Sequence, residues 1–116
     1  LEQVGDALLA FQRDIQAQGN QSRVMTMVFS EFGRRVAQNG SGGTDHGTAA
    51  PMYFIGETMH PGLHGIHPSM ERLDNGDLVH TIDFRSLYAT VLQDWMGADP
   101  TQILSGRWNT VPLIKT

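Results

Sequence analysis

The sequence predicts an α/β fold built from two amphipathic helices, two short buried strands and one small β-hairpin. Three observations carry this. Two stretches repeat apolar residues at helical spacing, two short runs are almost wholly apolar, and one Asn-Gly pair sits between short β-prone segments.

In chain order, Val4, Leu8, Phe11 and Ile15 recur at spacings of four and three, which places them on one stripe of a helix. Glu2, Gln12, Arg13 and Gln16 fill the other faces. Gly19-Asn20 is the expected stop, because Gly and Asn tolerate the left-handed conformation that ends helices. Val24 to Phe29 (VMTMVF) reads as a strand buried on both faces, as in a parallel sheet. A long irregular stretch follows. Pro51 to Ile55 (PMYFI) is the second core strand, with Pro at its tolerated first position. The His-, Gly- and Pro-rich segment HPGLHGIHPSM reads as loop. Asp74-Asn75-Gly76-Asp77 then predicts a hairpin, since Asn-Gly favours a type I′ turn. Phe84, Leu87, Tyr88, Val91, Leu92 and Trp95 form the strongest helical pattern, with Asp83 as N-cap and Gly97 as stop. The tail from Ala98 to Thr116 has no clear period.

The 116 residues suit one domain, and 40% apolar with 17% charged residues is a composition that folds. A net charge of −4 argues against a nucleic-acid partner, which requires a basic face. The chain contains no cysteine, so disulfides, zinc–thiolate sites and thiol nucleophiles are excluded. No apolar run approaches the roughly 20 residues that span a bilayer. The chain opens at Leu1 directly in a helical pattern, so it is expected to be one C-terminal piece, residues 1–116, of a longer protein whose N-terminal part completes the fold.

The stretch Ser30 to Thr48 is the expected functional centre. It begins where the first core strand ends, the place where α/β sheets bind ligands. It exceeds the length at which structureless loops are usually functional. It holds Glu31, Arg34, Arg35, Asp45 and His46 among five glycines. Carboxylate and imidazole together suit a divalent cation, and paired arginines suit a phosphate or sulfate oxyanion. Plainer readings stand beside these. Glu31 can pair with Arg34, one arginine can be a solvated surface charge, and Asp45 can make an Asx-turn with His46 exposed.

SEFGRR (Ser30 to Arg35) and GSGGTDHGTAAPMYFIG (Gly40 to Gly56) carry a resemblance. With PGLHG (Pro61 to Gly65) and DFRSLYATVLQDWMG (Asp83 to Gly97), they make the chain resemble the C-terminal part of the bacterial domain-of-unknown-function family 1501. That family is related to the alkaline-phosphatase-like and sulfatase-like superfamily. The resemblance implies a C-terminal fragment of a large α/β sandwich with divalent metals (zinc, manganese or calcium) and a nucleophile supplied by the N-terminal part. It implies a metal-dependent hydrolase of small anionic phosphate or sulfate esters, and a periplasmic or otherwise extracytoplasmic location. His46 in DHGTAAPMYFIG matches a metal-binding His, with Glu31 and Asp45 as further candidate ligands and Arg34 and Arg35 as the catalytic cations. Where the superfamily often places an Asp-His pair, this chain has Glu31-Phe32, and Phe32 cannot ligate. The alternative is therefore a binding or structural module that retains the fold without catalysis.

Other histidines are weaker candidates. His60, His64 and His67 lie among Pro61, Gly62, Gly65 and Pro68, which forbid a helix that would align them. They read as loop histidines. His80 and Arg85 could face the same cleft.

Overall fold

A computed structural model describes residues 1–115. The first apolar stripe forms α1, Glu2–Ala17. Its end is the expected one. Gly19 takes a φ of +73°, its N–H bonds the Gln16 carbonyl at 3.0 Å, and the Asn20 N–H bonds the Ile15 carbonyl at 3.0 Å. This paired arrangement satisfies carbonyls that a helix end leaves free. The stripe itself is poorly covered. Ile15 is buried, but Val4 and Phe11 are about half exposed.

The two apolar runs form β1, Thr26–Val28, and β4, Tyr53–Ile55. They pair with each other, antiparallel, in the register Thr26↔Ile55, Met27↔Phe54 and Val28↔Tyr53. This corrects two expectations. The strands are not parallel, and they are half-buried to exposed rather than buried on both faces. A continuous apolar run reports that both faces avoid water, and it carries no information on partner direction.

The stretch between them is not structureless, which is a third correction. It folds into the antiparallel pair β2, Gly33–Gln38, and β3, Thr44–Gly47. The predicted Asn-Gly hairpin is present as β5, Leu73–Asp74, and β6, Asp77–Leu78. Asn75 and Gly76 both have positive φ, 49° and 85°, as a type I′ turn demands.

The second periodic stretch is α2, Phe84–Thr90, continued by one wide π turn, Val91–Trp95. Asp83 caps it as expected, accepting the Arg85 N–H at 2.9 Å. Its deepest residues are Ala89 and Thr90, which lie off the expected stripe. Small side chains there let the tail approach, and the Val111 N–H donates to Thr90 Oγ1 at 2.8 Å. That hydroxyl in turn donates to the Ser86 carbonyl at 2.7 Å. A short helix unassigned from sequence, α3, Pro100–Leu104, starts at Asp99, whose carboxylate accepts from Thr101. Asp-Pro at its start is an N-cap followed by a proline at the first helical position.

The core is small. Met59, Leu113 and Ile114 are buried together, with Met25, Phe54, Leu87, Trp95 and Val111 packed on them. The aperiodic tail thus supplies two of the three buried residues, held by the Met59↔Ile114 bridge and the His60 N–H to Leu113 carbonyl bond at 2.7 Å. The chain exposes 8476 Å², against about 6,300 Å² for a compact monomer of this mass. Its radius of gyration is 16.4 Å, where about 13 Å is usual for its length.

Candidate functional site

The hairpin β2–β3 carries most of the candidate residues. Asn39 builds its turn: the side-chain oxygen accepts from the Ser41 and Gly43 N–H groups at 3.0 and 3.1 Å, and the backbone N–H donates to the Gly43 carbonyl at 2.7 Å. Gly42 sits in the turn at φ +82°. At the open end, Gly33 faces Gly47. A Cβ on Gly33 would collide with the Ala49 carbonyl, so this glycine allows the chain leaving β3 to pass directly against β2.

Arg34 and His46 are cross-strand partners. The His46 ring stacks on Phe32 with centroids 3.6 Å apart and an 11° interplanar angle. The Arg34 guanidinium lies 5.4 Å from the Phe32 centroid and donates to the Thr44 carbonyl at 2.7 Å. The structure therefore brings His46, Phe32 and Arg34 into one cluster. Among the described residues, no group hydrogen-bonds the His46 ring, and no carboxylate pairs with Arg34.

The other candidates are placed elsewhere. Asp45 precedes His46 on a strand, so the two side chains leave opposite faces. Its carboxylate accepts from Asn39 Nδ2 at 3.1 Å and braces the turn. Glu31 is exposed in the bend before β2. Arg35 is turned away from His46 by the same alternation. Its Nε bonds Asp77 Oδ1 at 3.1 Å, and its Nη2 donates to the Asn75 carbonyl in the β5–β6 turn. Thr48 Oγ1 adds a bond to the Leu78 carbonyl at 3.1 Å, so three bonds from two residues seat one hairpin on the other.

A divalent metal needs several donors aimed at one point. Among the described residues no three His, Asp or Glu side chains converge in that way. His46 offers one accessible imidazole, while Asp45 and Glu31 do not join it.

The remaining histidines make local bonds. His64 donates to the His60 carbonyl at 3.0 Å and His67 to the Pro68 carbonyl at 2.8 Å. Arg85 does not reach the cluster. Its guanidinium chelates Asp83, with bonds of 2.9 and 2.6 Å, and lies 4.9 Å from the Trp108 ring centroid. The Arg85 bond holds the Asp83 carboxyl at about 2, below its usual 3.8. Sequence reasoning missed Phe32 as a partner of His46. The signal was available in part, since a residue two before Arg34 at a strand entry can reach across to the opposite strand.

A model of a family described as proteins of unknown function, DUF1501, matches residues 1–109. The chain belongs to the DUF1501 family. That match covers both hairpins, the cluster around His46 and the helix α2, so the cluster lies inside the family domain. No curated protein and no solved structure matches this DUF1501 chain. No helix among its described residues is long and apolar enough to cross a membrane.

Proposed function

We propose that this DUF1501 chain is part of a metal-dependent hydrolase of phosphate or sulfate esters, and that its complete fold is an alkaline-phosphatase-like α/β sandwich. The observation that carries the reading is the pairing of His46 with Arg34 on one hairpin, each with polar atoms that no described residue occupies. An imidazole suited to a metal beside a guanidinium suited to an oxyanion is the combination ester hydrolysis needs.

In this reading His46 is a metal ligand, with further ligands and the nucleophile drawn from outside the chain. A divalent metal bound there would polarise the ester oxygen. Arg34 hydrogen-bonds the non-bridging oxygens as charge builds on them. Its bond to the Thr44 carbonyl fixes the direction of the fork beforehand. Arg35, committed to Asp77 and Asn75, holds the hairpin in place rather than meeting substrate.

The Phe32–His46 stack favours a second reading, a binding or structural module without catalysis, because an aromatic ring stands where a second ligand would be useful. One experiment separates the two. Metal content and hydrolysis of a panel of phosphate and sulfate esters are measured on the full-length protein and its His46→Ala form. The hydrolase reading expects a stoichiometric metal, lost with at least a 100-fold fall in hydrolysis on substitution. Absence of metal in both forms after soaking, with no ester turned over, leaves the module.

A further inference from the structure

The chain contains two Asn-Gly pairs, Asn39-Gly40 in the β2–β3 turn and Asn75-Gly76 in the β5–β6 turn. Asparagine is a thermolabile residue, and a following glycine makes it most so, because no side chain hinders attack by the glycine nitrogen on the preceding carboxamide. The two pairs differ in how that carboxamide is held. Asn39 is half-buried and engaged at both ends: Oδ1 accepts from the Ser41 and Gly43 N–H groups, and Nδ2 donates to Asp45 Oδ1 at 3.1 Å. Asn75 and Gly76 are both exposed, and among the described residues no group bonds the Asn75 carboxamide.

Arg35 lies against the second pair. Its Nη2 donates to the Asn75 main-chain carbonyl, and a Cβ on Gly76 would lie 2.8 Å from that nitrogen. This carbonyl shares its peptide unit with the Gly76 nitrogen. As the Gly76 nitrogen gives up its proton to attack, negative charge spreads onto the carbonyl oxygen. A guanidinium bonded there favours the charged form. Among the described residues, the Asn39 carbonyl is met instead by the neutral Gly42 N–H, at 3.2 Å.

We propose that Asn75 is a site of spontaneous deamidation, selected over Asn39 by the fold, and that its isoaspartate product opens the β5–β6 turn. The Gly76 nitrogen bonds to Asn75 Cγ. The bond from Cγ to Nδ2 breaks, and Nδ2 leaves as ammonia with the proton that Gly76 lost. Water then opens the succinimide ring at either carbonyl. Opening at Cγ gives aspartate and restores the original main chain. Opening at the Asn75 main-chain carbonyl gives isoaspartate, and the chain then runs through Cβ and Cγ, longer by a methylene. A two-residue type I′ turn has no room for that methylene. The short ladder that it would disturb is Leu73↔Leu78 and Asp74↔Asp77. The proposal stands apart from the hydrolase reading.

The test ages the full-length protein in mildly alkaline buffer, native and in urea, and follows its tryptic peptides by mass spectrometry. Cleavage at Arg35, Arg72 and Arg85 puts Asn39 and Asn75 in separate peptides, Val36 to Arg72 and Leu73 to Arg85. In urea the two are expected to deamidate at similar rates, since both precede glycine. In the native protein Asn75 is expected to react at least about 10-fold faster than Asn39, whose carboxamide must first break three hydrogen bonds. Equal native rates overturn the proposal. So does an Asn75 peptide that stays intact in the native protein while it reacts in urea. Arg35→Gln is expected to slow Asn75 in the native protein alone, and a faster native rate would overturn the part given to Arg35. Amide hydrogen exchange across Leu73 to Leu78 is expected to quicken in the isoaspartate fraction and not in Asn75→Asp, which keeps the main chain. Equal exchange in both overturns the opened turn. Asn75→Gly keeps a left-handed turn residue and cannot cyclise, so its exchange is expected to stay constant on ageing, and a matching rise there would also count against the proposal.

Discussion

The two long helical stretches have equally clear apolar patterns and end in opposite surroundings. α1 leaves Val4 at 52% and Phe11 at 47% exposure, with Ile15 as its buried residue. α2 has Ala89 and Thr90 fully buried, and Leu87 packs on the Met59–Leu113–Ile114 core. A helical stripe says which face avoids water. What covers that face comes from the rest of the fold, for α2 an irregular tail whose Val111 bonds Thr90. The surplus of exposed surface over a compact monomer is consistent with this difference.

Four substitutions would break or sharpen the contrast, all read by chemical denaturation of the intact protein. Leu113→Ala removes the floor on which α2 rests, and its expected cost is about 2–5 kcal/mol. A loss below 1 kcal/mol would mean that the tail is not part of the core. Thr90→Val keeps the shape but deprives the half-buried Val111 N–H of its acceptor, at about 1–3 kcal/mol. Asp83→Asn addresses the cap. The Arg85 bond depresses the Asp83 carboxyl from 3.8 to about 2, so its contribution is present above pH 4 and is lost as pH falls towards 2. The Asn form retains a capping oxygen, and it should lose less stability than the parent between pH 4 and 2. Equal acid sensitivity would show that the pair contributes nothing there, as many exposed pairs do. Phe11→Ser, on the uncovered α1 face, should change stability by less than about 0.5 kcal/mol. A loss above about 1.5 kcal/mol would reveal that something in the intact protein covers α1.

Elements whose signal is local were legible. α1 and its Gly19 end, the Asn75-Gly76 turn and the Asp83 cap all depend on residues within a few positions of one another. The hairpin β2–β3 was not legible as strands. Arg34, Arg35, Asp45 and His46 give it no apolar alternation, and its five-residue turn is organised by Asn39 rather than by an Asn-Gly pair. The antiparallel pairing of β1 with β4 was hidden because both runs are apolar on successive positions. The tail escaped because Leu113 and Ile114 enter the core from an extended segment with a single bridge. For the candidate site, residue types gathered on one hairpin. They could not divide it into faces until the strands were known. Alternation then grouped Arg34 with His46 and sent Asp45 and Arg35 to other work.

Arg35 reaches across 40 residues of sequence to the turn at Asn75, and Thr48 across 30 to Leu78. The hairpin bearing His46 is thus moored to its neighbour through space rather than along the chain. The covalent path between them runs through the exposed segment around Leu63 and Ile66. A single protease nick there would sever the path and leave the mooring, so the cut protein would still hold His46 and Arg34 in place.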